Sequence, residues 1–168
     1  DNTLKNCYQT SWGVSTRIIG GIIMTHGDDS GLVLPPSVAP IQVVVIPVQQ
    51  HKEGVLDKAN EIYNTLKNAG IRVKLDDSEQ SPGWKFSEYE MKGVPLRIEI
   101  GPRDIAENKC VIVRRDNREK SFVSIDTLID SVKAGLENLT SALFEKAKAH
   151  REERTYTALT LDELKNIA

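Results

Sequence analysis

The chain has 168 residues, 39% hydrophobic and 27% charged, with a formal net charge of −2 at pH 7. That length holds one domain with a real core, or a small domain plus a fragment of another. The composition is that of a globular chain, neither disordered nor membrane-like, and the charge excludes nucleic-acid binding over the whole surface, so any such contact must be local.

Residues 4 to 12 read as a strand entering a tight turn at Gly13. Ser15 or Thr16 stands where a helix cap is expected, and Ile18, Ile19, Ile22 and Ile23 follow at helical spacing. "HGDDSG" ends that helix, and "LPPSVAP" is too stiff to continue a helix or a central strand. It marks a boundary between two domains, so residues 1–36 form one unit and 37–150 another.

Past the boundary, "IQVVVIPV" is a β-branched run suited to a buried strand, and "PIQVVVIPV", the longest apolar stretch, is far too short to span a bilayer. A helix follows with Val55, Leu56, Ala59, Ile62 and Leu66 on one face and Gly70 as its stop. "IRVKLD" is a second strand, "DSEQSPG" a loop, "WKFSEYEMKG" a short helix and "VPLRIEIGP" a third strand. "KCVIVRRD" and "KSFVSI" are two more strands across the polar hairpin "RRDNREK". Residues 126 to 150 are a long amphipathic helix with Leu128, Ile129, Val132, Leu136, Leu139 and Leu143 on its stripe. In the tail, 151–168, Thr160 and Glu163 form a capping box for a last helix. The alternation predicts an α/β fold, a three-layer domain with a mixed sheet of about five strands.

Chemistry-bearing residues are few. Cys7 and Cys110 form no C-x-x-C pair, so neither a zinc site nor a redox motif is legible; both fit a reducing cytosol. On the residues alone, Arg17 is equally a helix-surface arginine, Gly13 a turn glycine, Trp12 and Phe86 core, and Glu90 with Arg97 a surface ion pair. Glu99 reads as the wet face of a strand, and the hairpin arginines as a solvated edge.

Two long strings carry a resemblance. "TSWGVSTRIIGGIIMTHGDDSGLVLPPSVAPIQVVVIPV" resembles the third signature motif of prolyl-tRNA synthetases and its junction to their anticodon-binding domain, and "SPGWKFSEYEMKGVPLRIEIGPRD" resembles the centre of that domain. The resemblance implies that residues 1–36 are a strand–helix remnant of a class II catalytic domain, 37–150 the anticodon-binding domain, and 151–168 a linker and the start of a further domain. The tail "SALFEKAKAHREERTYTALTLDEL" looks like the form found in archaea, eukaryotes and some bacteria, where a domain, often zinc-binding, follows.

The activity so implied is attachment of proline to tRNA(Pro) with ATP, with Mg2+ in the intact enzyme, by a cytoplasmic homodimer that needs no membrane. The proline carboxylate attacks the α-phosphorus and pyrophosphate leaves, a reaction helped by positioning and charge neutralisation. By resemblance Arg17 is the nucleotide-contacting catalytic arginine, Ser15 sits beside it at the ATP, and Trp12 and Gly13 lie at the proline. The first two signature motifs lie upstream in such enzymes, so the segment alone is expected to be inactive, and no metal site is expected in it.

Anticodon reading is implied for Phe86 as a stacking ring, Glu90 as a guanine-reading carboxylate, and Arg103 with Asp104 as a second acid–base pair. Arg97 supports that surface, and Arg115, Arg118 and Lys120 meet the loop backbone. An unpaired guanine presents two N–H donors and one acceptor, so its reader combines a carboxylate with a cation, and an aromatic face holds the splayed base. Two other readings stay open: a free-standing relative that binds RNA or protein without catalysis, and an enzyme charging threonine, histidine or glycine.

Overall fold

The computed structural model describes residues 3–167; the parts of the expected end segments that fall on residues 1, 2 and 168 lie outside the described residues. Six α-helices and five strands follow in chain order: α1 Arg17–His26, β1 Val43–Pro47, α2 Val55–Asn68, β2 Val73–Leu75, α3 Pro82–Met91, β3 Leu96–Ile100, α4 Pro102–Ala106, β4 Lys109–Arg114, β5 Lys120–Ser124, α5 Leu128–Glu153 and α6 Leu161–Ile167. The strands form one sheet in the order β2-β1-β3-β4-β5. β1 runs parallel to β2 and β3, and β4 antiparallel to β3 and β5, so the expected mixed five-stranded sheet is present.

The strand order reverses direction at β1. Right-handed crossovers then send the helix after β1 and the helix after β2 to opposite faces. On one face Ala59, Ile62 and Leu66 of α2 and Leu128, Val132 and Leu136 of α5 pack on Val43, Val45, Leu96, Ile98, Ile100, Cys110 and Ile112. On the other, Tyr89 of α3 packs with Val44, Ile46 and Val94, and Phe86 leans on that cluster. Each large aliphatic side chain so buried contributes on the order of 1.5–3 kcal/mol. Burial pushes the Cys110 thiol up to about 12, as befits a core cysteine.

The helical periodicities hold closely. Val55, Ala59, Ile62 and Leu66 are buried while Leu56 sits at the margin, and Leu128, Val132, Leu136, Leu139 and Leu143 are buried with Ile129 half-buried. The Thr160 hydroxyl accepts the Glu163 amide at 3.2 Å, and the Glu163 carboxylate accepts the amides of Leu159 and Thr160. The short helix α4 has no counterpart in the periodicity, since five residues are too few to display one.

The expected strand over residues 4 to 12 does not form: residues 3–15 hold no regular structure, and Leu4, Tyr8 and Trp12 are exposed. A strand needs a neighbour to take its amides and carbonyls, and none pairs with this segment among the described residues. Helix α1 does form, and Thr16 is its cap position, but without a capping hydrogen bond from its side chain. Its Ile18, Ile19 and Ile23 face solvent.

The stiff junction is packed rather than loose. Val33 joins Leu139 and Leu143 in a small cluster on α5. The Leu32 amide donates to the Met91 carbonyl at 3.0 Å and the Leu34 amide to Gly93 at 3.3 Å, so residues 32–34 lie as a strap on the end of α3.

Candidate nucleic-acid interface

Two periodicities build the central cluster. Residues two apart on a strand share a face, as do residues four apart on a helix. Arg97 and Glu99 on β3 therefore point to the same side, toward Phe86 and Glu90 on α3. The Arg97 guanidinium donates through Nε to Glu99 Oε1 at 2.9 Å and through a terminal nitrogen to Glu90 Oε1 at 3.0 Å. Its central carbon, Cζ, lies over the Phe86 ring, 4.1 Å from the centroid, a cation–aromatic contact. Lys120 on β5 approaches Glu99 Oε2 at 3.8 Å from the far side.

Glu99 corrects the expectation of a wet strand face. Its side chain is 13% exposed, because β3 is an interior strand covered on both sides and a carboxylate there needs cations. Glu90 is the more open of the two, 30% exposed, and among the described residues only its Oε1 accepts a hydrogen bond. Its second oxygen accepts no hydrogen bond among the described residues.

A groove of about 490 Å³ opens at the carboxyl edge of β1 and β3, lined by Gln49, Lys52, Glu99, Gly101, Arg103 and Asp104 among others. The carboxyl edge beside a reversal of strand order is the usual ligand crevice of parallel α/β sheets. Arg103 is exposed there, and among the described residues its guanidinium has no hydrogen-bond or ion-pair partner. Asp104 lines the same groove, but one oxygen turns back to accept the Gly101 amide at 2.8 Å and starts α4. Phe86, Glu90, Arg97, Arg103, Asp104 and Lys120 thus occupy one continuous surface.

Arg115 does not join them. It is 4% exposed. Its terminal nitrogens donate to Asp28 at 2.7 and 2.6 Å, and its Nε donates to the Glu90 carbonyl at 2.9 Å. A guanidinium so engaged is a structural tie, with Nε and both terminal nitrogens committed to protein acceptors. Arg118 likewise reaches back, donating to the Ser30 hydroxyl. Trp12, Gly13, Ser15 and Arg17 are all exposed, and a Cβ added at Gly13 would meet nothing within 4 Å.

A second polar cluster escaped the sequence reading. Lys85, 1% exposed, donates to the Asp76 carbonyl at 2.9 Å and to Gln50 Oε1 at 3.3 Å, and lies 3.6 Å from Asp76 Oδ1. Burial raises the Asp76 carboxyl, but hydrogen bonds from Ser78 and the Lys85 charge outweigh it and leave Asp76 below the usual carboxylate range. Burial, with Asp76 beside it, pushes the Tyr89 hydroxyl above its ordinary value. The cluster ties the loops after β1 and β2 together. A lysine four residues before Tyr89 inside a helix gave no period-breaking signal. His26, whose pKa is lowered by burial and then by Lys146, shapes the end of α1 beside α5.

A mixed α/β sheet presenting carboxylates, free cations and a ring along one edge has the make-up of a module that reads unpaired bases. Residues 42–135, more than half of the chain, match the family described as Anticodon binding domain, and the chain belongs to that family. Over its whole length it is 62% identical to the proline–tRNA ligase of Lachnospira eligens and 57% to that of Clostridium novyi, and over 167 residues 62% to that of Ruminiclostridium cellulolyticum. The matches take in 99–100% of this chain and 35% of each relative, so it spans about a third of their length. The archaeal and eukaryotic-like character expected of the tail is not borne out: these relatives are bacterial, and those of Lachnospira eligens and Clostridium novyi match the tail along with the rest.

Proposed function

We propose that this chain is the anticodon-reading part of a proline–tRNA ligase, an enzyme that attaches proline to tRNA(Pro) at the expense of ATP. The observation that carries the reading is the Glu90–Arg97–Glu99 cluster over Phe86, beside the unpartnered Arg103. Proline codons begin with two cytosines, so the anticodon offers two guanines. The open oxygen of Glu90 is an acceptor for the N–H donors of one guanine, and Arg103 with Asp104 supplies a donor and an acceptor to the other. Arg97 holds Glu90 in place and backs the Phe86 ring. Lys120 is placed for phosphate.

In the intact enzyme Ser15 and Arg17 would meet ATP, and Trp12 with Gly13 the proline. An arginine suits that place because it stays charged and forks onto phosphate oxygens. The guanidinium of Arg17, exposed and without a partner among the described residues, is consistent with it. Among the described residues no group of three or more His, Cys, Asp or Glu could hold a metal ion, so no step is assigned to Mg2+ on this segment. The intact enzyme would act as a cytoplasmic homodimer.

Binding of two stem–loop RNAs, one with paired guanines in its loop and one with adenines there, tests the reading. The guanine loop binds more tightly, and Arg103→Ala lowers that preference by about 1–3 kcal/mol at one position. Equal binding of the two loops by the wild-type chain overturns base reading. A uniform loss on both loops in Arg103→Ala reduces Arg103 to a phosphate contact.

A further inference from the structure

The ring assigned to base stacking, Phe86, is half-buried, and Arg97 lies over it at 4.1 Å. The freely presented ring on this side of the sheet is another one. Phe122 on β5 is 71% exposed. Its place follows from register. Ile46 pairs with Glu99, Glu99 with Val111, and Val111 with Phe122. Paired residues on adjacent strands project to the same face, so these four make one row running out from beneath α3 to the sheet edge. The next row holds Val44, Arg97, Val113 and Lys120. Strands lie about 4.8 Å apart, so Phe122 stands roughly 10 Å from Glu99, and Val111 between them also lines the Arg103 groove.

A single exposed phenylalanine means little by itself. On an edge strand it is a hazard, because edges with apolar side chains invite unwanted pairing. Here two further facts attach to it: the row leads without a break into the candidate reading site, and a cation stands beside it. Lys120, 56% exposed, lies two residues away on the same face, and Val111, the strand partner of Phe122, lines the groove that holds Arg103. A bare ring beside a cation matches an unpaired nucleotide, whose base has a π-face and whose backbone carries charge.

We propose that Phe122 is a second stacking platform, holding an unpaired loop nucleotide next to those read at Glu90 and Arg103, with Lys120 on its phosphate. The inference rests on the anticodon-reading function proposed above and extends its surface by two strands. Any base can stack on a ring, so Phe122 supplies affinity and no discrimination.

The same two stem–loops test it with Phe122→Ala, Phe122→Leu and Phe122→Trp, with 2-aminopurine placed in turn at each unpaired position flanking the guanine pair. Phe122→Ala and Phe122→Leu weaken the guanine loop by about 5- to 100-fold, leave the guanine-to-adenine preference unchanged, and relieve the quenching of 2-aminopurine at one flanking position. Phe122→Trp restores both. The side chain is exposed, so unchanged melting of the three variants is expected and checks that folding is not the cause. Wild-type affinity in Phe122→Ala, or in Phe122→Leu, overturns the platform while leaving guanine reading intact, and assigns the exposed ring to a protein contact instead. A wild-type chain without guanine preference, but weakened on both loops by Phe122→Ala, overturns base reading and keeps the platform. Absence of RNA binding overturns both.

Discussion

Asp28 and Arg115, 87 residues apart in sequence, meet in a two-pronged ion pair with N–O distances of 2.7 and 2.6 Å. The same arginine donates to the carbonyl of Glu90. The turn that follows α1 is therefore fastened to the helix that carries Glu90, the carboxylate proposed to read guanine. A forked guanidinium matches a carboxylate in this way, whereas a lysine would supply a point charge only.

Removing either partner has a signed pH dependence. The Arg115 hydrogen bond holds the Asp28 carboxyl at about 2, against an ordinary value of 3.8. A depressed carboxyl contributes stability that is fully present above its unfolded value and is lost as pH falls through the folded one. Chemical unfolding of wild type and Asp28→Asn will show a wild-type advantage near neutrality that shrinks between pH 3.8 and about 2. Arg115→Ala costs about 1 kcal/mol, because the Glu90 carbonyl loses its donor while the exposed Asp28 carboxylate returns to water. An advantage that grew on acidification would contradict the pair as the source.

Arg97 organises the proposed reading surface. Arg97→Met leaves Glu90 and Glu99 without their shared cation, and Arg97→Lys restores charge but not the fork or the guanidinium contact with Phe86. The expected order of stability is wild type, then lysine, then methionine, with the methionine variant down by about 1–3 kcal/mol. Guanine-loop affinity should fall in the same order. Equal melting and binding of all three proteins would show that Arg97 positions nothing.

The strap over α3 depends on glycine. Gly93 has φ +70°, and a Cβ there would lie 2.6 Å from Leu32 Cβ and 2.7 Å from its carbonyl carbon. Gly54 has φ +78° with nothing within 4 Å. Gly54→Ala should cost only the left-handed strain, about 1–2 kcal/mol. Gly93→Ala should cost more and speed hydrogen exchange at the Leu34 amide, which Gly93 accepts. Equal penalties at the two sites would mean that the strap yields freely.

Legibility followed the range of the forces involved. The stripe from Leu128 to Leu143 and the capping box at Thr160 depend on residues within one or two turns, so spacing exposed them directly. Phe86, Glu90, Arg97 and Arg103 came from a motif resemblance and gather on one surface. Glu99 and Arg115 were misread because their environments are made by distant chain: Glu99 by the coverage of β3 and by Lys120, Arg115 by Asp28. Phe122 alternates with Lys120 on β5, a signal that was present but meant nothing until the row had an inner end.

By itself the sequence determined the elements of the α/β fold beyond Pro36, the order of its helices and strands, and the residue types proposed to read guanine. Local periodicity and capping dictate those, since each helix or strand must bury one face and satisfy its own ends. The tertiary structure alone decided which charges are ties and which are free. A guanidinium becomes structural or available according to the acceptors folded against it: Arg115 is buried against Asp28 and the Glu90 carbonyl, whereas Arg103 is exposed without a partner among the described residues. It also decided that residues 4 to 12 form no strand, because a strand exists only beside a partner.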